Sequence, residues 1–373
     1  MRILLMCHAL TGGGAERVCA GWANGLSQAG HEVSILTDTV TTPQTYRTVP
    51  EVAIVQCRFR PLRSGSILAR IRNRLSRSWS FFKQIRRLIK EDKPDAIVNV
   101  LYYAKTELLL AKLCAMSKVP IIMTDHNAYE RPKGVRMPIW QWMCKFVYNR
   151  FFDRVTVLTR PDKEILERRG IRNADVLHNP LFLTPSTEWG GKEKTVLSVG
   201  RINAWYVKGF DLLVEAWSEI ASRHGDWKLR IVGSGDEEVK RMLLDRYDGD
   251  IGNMEFKPFT EDIVEEYRKA SIFVLSSRFE GWGLTLVEAM SQHCACVACD
   301  YKGRQAEIIE NGKNGLLCRT DDARELAAKI EALISDDGLR ERLQEASVAD
   351  LDRFSEKEVA RNMERIILKA CRR

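Results

Sequence analysis

The chain has 373 residues, 45% hydrophobic and 29% charged, with a formal net charge of +8; it is long enough for two ordinary hydrophobic cores and too evenly mixed for a fibrous or disordered chain. No apolar stretch approaches the roughly 20 residues of a membrane-spanning helix, and the apolar run from Ile3 to Leu10 is too short for a signal peptide and runs directly into glycines. Ten cysteines lie scattered without the spacing of a disulfide framework, which reads as reduced thiols and a cytoplasmic protein.

Strand-like apolar runs alternate with amphipathic helical stretches, the pattern of parallel sheets covered on both faces. In the first half strands are predicted near 3–7, 33–37, 53–56, 96–100, 120–124, 154–158 and 175–177. After the first comes the glycine loop Thr11 to Arg17, opening onto a helix that bears Val18, Trp22 and Leu26. Its amides suit a phosphate or the close approach of a sugar, and a tight structural turn is the other reading. A dinucleotide-binding loop needs a third glycine where Arg17 stands, which counts against NAD even though Asp38 ends the second strand where an acidic ribose ligand would sit.

Charge is unevenly placed. Residues 1–180 hold 29 Lys+Arg against 15 Asp+Glu, and the remainder 29 against 35. Between Glu51 and Glu91 the cations Arg58, Arg60, Arg63, Arg70, Arg72, Arg74, Arg77, Lys83, Arg86, Arg87 and Lys90 meet no acidic residue. Among them Ile67, Leu68, Ile71, Leu75, Trp79, Phe82, Ile85 and Leu88 or Ile89 recur at helical spacing. Two readings stand: a basic amphipathic helix for an anionic membrane surface, or a core-packed helix with a solvated basic face. No nucleic-acid-binding motif accompanies the charges, so nucleic acid is not an expected partner.

His126, in Thr124-Asp125-His126-Asn127, follows a strand at its carboxyl end and is expected to face a cleft, while His178 reads as structural. The stretch 181–194 has turn composition and no periodicity, and is the expected linker between domains 1–180 and 195–354. The second strand series lies near 195–199, 228–232, 253–256, 271–275, 295–298 and 315–317, with helices over about 210–223, 237–247 and 284–292; a last helix, within 355–373, is expected to pack back on the first domain. The fold class is thus α/β, two doubly wound Rossmann-like domains with a central crevice at the carboxyl ends of both sheets.

Two constellations of the second half suit that crevice. Glu280, Gly281, Trp282, Gly283, Leu284, Thr285 and Glu288 span a strand-to-helix turn, with one carboxylate in the loop and the other more than a turn into the helix; the amides of that helix start point at any phosphate nearby. Arg201, at the end of the second domain's first strand, and Lys208, beside Gly209 at the start of the following helix, supply a guanidinium fork and a mobile ammonium for a departing diphosphate. His293, Cys294, Cys296 and Cys299 resemble a metal cluster by count, yet alternation along one buried strand sends neighbours to opposite faces. Asp248 and Asp250 sit in a polar turn away from the strand ends, so no metal is assigned.

Gly12 to Arg17, Ser198 to Arg201 with Lys208 and Gly209, Glu280 to Glu288, and Gly312 to Leu317 together make the chain resemble the retaining glycosyltransferases of family 4, with the GT-B fold, of the bacterial polysaccharide and lipid-linked oligosaccharide type. The resemblance implies that Arg201 and Lys208 hold the donor diphosphate, Glu288 the ribose and Glu280 the transferred hexose. It further implies that His126 contacts that hexose, that Gly13 and Gly14 lie between donor and acceptor, and that Gly281, Gly283, Leu284 and Thr285 complete the donor site. Neither metal nor cofactor is implied, the nucleotide-sugar being a substrate, with UDP expected and GDP the alternative. The expected acceptor is a saccharide, lipid-linked or else soluble; on the membrane reading of the basic helix it is met at the cytoplasmic membrane face, with Arg70, Arg74, Arg77 and Trp79 as the acceptor and membrane contacts. Trp282 replaces the family's usual phenylalanine, His293 a glycine and Ala295 a proline, and Arg304 interrupts its Gly-Gly pair near 300–307. Other classes that share parts of the pattern are a glycoside hydrolase, an NAD-dependent oxidoreductase and a membrane-docking scaffold.

Overall fold

Near-continuous apolar runs fold as strands covered on both faces, and the computed structural model arranges them in two all-parallel sheets. It describes every residue except 12, 38–45, 58–65, 102–103, 133–134, 189, 247–250, 252 and 373, and of 67–69 the backbone alone. Gly12, Asp38, Arg58, Arg60, Arg63, Asp248 and Asp250 therefore lie outside the described residues. The first sheet holds β1 (Arg2–Cys7), β2 (Glu32–Thr37), β3 (Ala53–Gln56), β4 (Ala96–Asn99), β5 (Ile121–Thr124), β6 (Arg154–Val157) and β7 (Ala174–Val176) in the order β3-β2-β1-β4-β5-β6-β7. The second holds β8 (Glu193–Val199), β9 (Lys228–Val232), β10 (Met254–Lys257), β11 (Ala270–Leu275), β12 (Ala295–Asp300) and β13 (Leu316–Arg319) in the order β10-β9-β8-β11-β12-β13. In each sheet the order of strand addition reverses once, between β1 and β4 and between β8 and β11. Those are the positions where a doubly wound sheet opens a ligand crevice.

Helices α1 (Gly14–Gln28), α2 (Ile67–Glu91), α3 (Lys105–Cys114), α4 (Ile139–Phe146) and α5 (Arg160–Arg168) flank the first sheet. The second carries α6 (Trp205–Lys208), α7 (Phe210–Ile220), α8 (Glu237–Leu244), α9 (Ile263–Lys269), α10 (Leu284–Ser291), α11 (Ala323–Ser335) and α12 (Asp337–Ser347). The final helix, α13 (Glu356–Cys371), returns to the first domain as expected: Val359, Met363, Ile366 and Ile367 share one core with Val18, Trp22 and Leu26 of α1. Gly25 permits this contact, since a Cβ there would lie 2.5 Å from Cβ of Ala360.

Three expectations are refined. β8 starts at Glu193, inside the stretch read as linker, because Glu193 and Lys194 form ion pairs with Lys228 and Asp226 at the solvated rim of the sheet. Lys208 closes the four-residue helix α6 instead of beginning the next one, and Gly209, at φ 65°, makes the turn into α7. The core-packed reading of α2 holds for its second half. Phe81, Ile85, Leu88 and Ile89 are buried in the first core, whereas Ile71, Leu75 and Trp79 remain 52%, 67% and 59% exposed.

Candidate active site

The crevice is built from turns that leave the carboxyl ends of both sheets. From the first domain come the glycine loop after β1 and the loop after β5 that carries His126; from the second come Gly200 and Arg201 after β8 and the segment 276–283 after β11. These turns touch across the domain boundary. A Cβ on Gly14 would lie 3.4 Å from a methyl of Leu284, and one on Gly281 would lie 3.0 Å from the carbonyl oxygen of His126. At Gly281 glycine lets two backbones approach where a side chain would press on the His126 carbonyl, while Gly14 makes an ordinary contact with the Leu284 side chain.

Lys208 donates to Glu280 Oε2 at 2.7 Å, and the amide of Gly281 donates to the other carboxylate oxygen at 3.2 Å. The Lys208 stem packs against Gly200, the chain neighbour of Arg201. Its turn is pinned to the end of β11: Ser276 Oγ donates to the Lys208 carbonyl at 2.9 Å, and the amide of Arg278 donates to the Val207 carbonyl at 3.0 Å. Buried Arg278 in turn donates to both carboxylate oxygens of Asp211 at 2.6 and 3.0 Å. Arg278 is a support of the Lys208 turn that sequence reasoning missed, because its partners lie in other elements.

Arg201 and Glu288 line a cavity of about 760 Å³, together with Thr285, Phe259 and, from the first domain, Arg17 and Tyr46. Burial pushes the carboxyl of Glu288 above its usual range, while Arg17 and the Tyr267 hydroxyl oppose that shift. Arg17 donates to Oε1 at 2.8 Å and Tyr267 to Oε2 at 3.2 Å. The Arg17 guanidinium also lies 4.4 Å from the ring centre of Phe182. Arg17, which the sequence marked as a departure from a dinucleotide loop and as the end of the glycine motif but gave no role, pairs with Glu288 at this cavity. The 271 residues separating it from Glu288 hide the pairing from any local pattern.

His126 reaches the cleft with its backbone foremost. Its Nε2 lies 3.3 Å from Thr124 Oγ1 and its Nδ1 3.2 Å from Asn179 Oδ1, so contact between the ring and a sugar requires one partner to be exchanged. Burial lowers the pKa of the imidazole, with Asp125 opposing, and the neutral form persists below the usual histidine range. The loop is anchored from beneath by the fully buried Lys145, which donates to Asp125 Oδ1 at 3.2 Å and to the carbonyl of Asn127 at 2.9 Å. Lys105 lies alongside; burial lowers its pKa to about 8 against the pull of Asp125.

The remaining sequence candidates divide. His178 is structural, as expected: it stacks on Trp282 with centroids 4.5 Å apart and faces the Leu158 carbonyl at 3.0 Å. Arg304, in the segment that departs from the family pattern, crosses to the first domain and meets Asp162 at 2.5 and 3.2 Å. His293 faces the carbonyls of Gln344 and Ser186 while Cys294, Cys296 and Cys299 are buried, and among the described residues no group of three or more His, Cys, Asp or Glu is placed to hold a metal. Arg70, Arg74 and Trp79 lie exposed on α2, and Arg77 is half-buried there.

Comparison with known proteins agrees with this geometry. Residues 12–183 match the family Glycosyltransferase Family 4, and residues 182–349 match Glycosyl transferases group 1. An uncharacterized glycosyltransferase of Haemophilus influenzae is 27% identical over 328 residues, covering 87% of each chain. The Campylobacter jejuni GalNAc-alpha-(1->4)-GalNAc-alpha-(1->3)-diNAcBac-PP-undecaprenol alpha-1,4-N-acetyl-D-galactosaminyltransferase is 26% identical over 348 residues, covering 92% of this chain and 91% of that one. Among solved structures, S. aureus TarM in complex with fondaparinux, alpha-GlcNAc-glycerol and UDP superposes with a TM-score of 0.77 at 14% identity, covering 98% of this chain and 99% of that chain. The two family matches meet where the first sheet gives way to the second, and on that agreement of sequence, boundary and architecture the chain belongs to the family 4 type of GT-B glycosyltransferases.

Proposed function

We propose that the protein is a retaining, metal-independent transferase that moves a hexose or N-acetylhexosamine from a nucleotide diphosphate, UDP foremost, to a lipid-linked saccharide in cell-surface glycan assembly. The observation that carries this reading is the Lys208–Glu280 pair at 2.7 Å, whose lysine stem packs on Gly200 and whose turn meets the His126 loop at Gly281. In the proposed reaction the anomeric C–O bond to the diphosphate breaks while the acceptor oxygen bonds the same face of that carbon. The acceptor proton passes to the departing diphosphate oxygen. Arg201 and Lys208 stabilise the charge growing on that oxygen, Glu280 holds the hexose hydroxyls, and Glu288 accepts from the ribose. The positive charge of the two side chains and the α10 amides takes the place a metal would fill. UDP in the TarM complex and the undecaprenol-linked substrate in the Campylobacter relative's name support the nucleotide and the acceptor class. Among the described residues no helix is long and apolar enough to cross a membrane. The exposed stripe Ile71, Leu75 and Trp79 supports docking on a membrane surface at its cytoplasmic face.

The test presents UDP- and GDP-sugars to the purified protein and records slow hydrolysis and protection against thermal unfolding. One UDP-sugar is expected to protect and to be hydrolysed. In Lys208→Ala, hydrolysis should fall about 10²–10³-fold, the loss typical of one donor at a developing anion. Undiminished turnover in a folded Lys208→Ala protein rejects the mechanism.

A further inference from the structure

Lys145 of α4 and Lys105, the first residue of α3, are both buried beneath the turn that follows β5. An ammonium taken out of water is costly unless its donors are satisfied. Lys145 directs its donors to one short stretch of chain: the Asp125 carboxylate at 3.2 Å, the Asn127 carbonyl at 2.9 Å and the Ala128 carbonyl at 3.4 Å. The same ammonium lies 3.9 Å from the centre of the Tyr129 ring. Burial lowers the pKa of Lys145, and Asp125 opposes that shift as its counter-charge. Lys105 donates to the Cys144 carbonyl at 2.9 Å and to Asn149 Oδ1 at 2.5 Å, and Asn149 donates to the Tyr129 hydroxyl at 2.9 Å.

The stretch that Lys145 holds is the one that meets the turn after β11. A Cβ on Gly281 would lie 3.0 Å from the His126 carbonyl oxygen, 3.4 Å from the Ala128 amide nitrogen and 3.5 Å from Cα of Asn127. The Gly281 amide donates to Glu280 Oε1 at 3.2 Å, and Glu280 Oε2 accepts from Lys208 at 2.7 Å. Contacts thus run without a break from Lys145, through the loop backbone and Gly281, to the Glu280 carboxylate. The far end of the loop is fixed separately: the Tyr129 amide donates to Asp162 Oδ1 at 2.8 Å, and Asp162 pairs with Arg304 of the second domain.

We propose that Lys145 is a positioning residue for sugar transfer, which sets the height at which the His126 loop bears on Gly281 and thereby the placement of Glu280. The inference rests on the glycosyltransferase reading above and extends it to a side chain buried outside the cleft. Lys145 touches neither substrate nor reacting atoms. Its donors to the Asn127 and Ala128 carbonyls carry the effect, while Asp125 makes a buried ammonium tolerable. A displacement of about 1 Å in a group that aligns reactants costs about 10²-fold in rate, so a loop that settles differently on Gly281 is felt in turnover before it is felt in nucleotide binding.

Lys145→Met/Asp125→Asn removes both charges together and leaves no unpaired ion in the core; Lys145→Gln/Asp125→Asn has the same net charge and returns an N–H donor to the same place. UDP should protect both variants against thermal unfolding as it protects wild type, since the cavity lined by Arg201 and Glu288 shares none of these residues. Hydrolysis of the UDP-sugar that protects wild type should fall about tenfold or more in kcat in the methionine variant, with KM unchanged, and should recover in the glutamine variant to within about threefold of wild type. Hydrogen exchange read by mass spectrometry needs no substrate: in the methionine variant amides 278–284 of the second domain should exchange faster along with 125–129. Wild-type kcat in the methionine variant, or equal losses in the two variants, overturns the proposal. So does faster exchange confined to residues 125–146, and so does failure of both variants to fold, either of which would make Lys145 a support of its own domain alone. If wild type hydrolyses no UDP-sugar the transfer reading falls, while the exchange experiment still decides whether Lys145 reaches the Glu280 turn.

Discussion

Glu288 shows how function and stability divide on one side chain. Its folded pKa is raised by burial, so the fold favours the protonated acid: that contribution to stability is present below the ordinary glutamate value and is lost as pH rises through the raised one. At neutral pH the ionised carboxylate is therefore held at a cost, and the partners that offset it are Arg17 and Tyr267. Glu288→Gln should melt no lower than wild type at pH 7, and its advantage should shrink as the buffer is acidified. The same change removes the acceptor proposed for ribose hydroxyls. Donor affinity should fall about tenfold or more, as expected for a lost charge-assisted hydrogen bond. Thermal melts with and without UDP read both effects, and an unchanged UDP shift would remove Glu288 from the donor site. Sequence reasoning reached Glu288 because its distance from Glu280 along a strand-to-helix turn is a local pattern. Its partner Arg17 stayed hidden because the pairing exists only once two domains meet.

Elements are joined across the crevice by contacts of two kinds, and each makes its own prediction. The Arg304–Asp162 pair is fully buried and links the turn after β12 to the start of α5. Removing one partner leaves a buried charge without compensation, which costs about 3–5 kcal/mol. Arg304→Met alone should therefore lower the urea midpoint strongly, and Arg304→Met/Asp162→Leu should recover much of the loss; additive losses would show that the pair is not coupled. The His178–Trp282 stack is an aromatic joint instead. Burial lowers His178 to about 4 from an ordinary value of 6.5, so the native state resists protonation that the unfolded chain accepts. Its stability contribution is complete above 6.5 and falls as pH drops toward 4, by at most about 3 kcal/mol. His178→Phe should flatten that part of the pH dependence, as read by urea melts at pH 7 and pH 5; an identical slope would assign it elsewhere. Strand positions were legible in the sequence because burial on both faces writes a continuous apolar run, and β3 and β9 fall where the pattern puts them. The joints were not. Arg304 looked like a break in a glycine pair because the residue that explains it belongs to the other domain, and Lys208 looked like a helix start because α6 is a single turn too short for any periodicity.

At the scale of the whole molecule, composition already separates the two domains. The first 180 residues carry an excess of 14 positive charges and the rest an excess of six negative ones, so a surface rich in anionic lipid attracts one domain and repels the other. In the proposed docking such a field would turn the first domain, and α2 with it, toward the surface. Charge alone would give loose, salt-sensitive attachment. The exposed stripe Ile71, Leu75 and Trp79 adds a second term, because each such side chain fully buried in an apolar phase contributes about 1.5–3 kcal/mol. The two terms separate experimentally. Sedimentation with phosphatidylglycerol vesicles should weaken as salt rises, leaving a residue of binding that Ile71→Ser/Leu75→Ser/Trp79→Ser abolishes. Protection by UDP should be unaffected in that variant, since the cavity lined by Arg201 and Glu288 shares none of these residues. Vesicle binding that is equal in wild type and triple variant at high salt would mean that α2 does not enter the bilayer interface, and the oriented arrangement would then rest on charge alone.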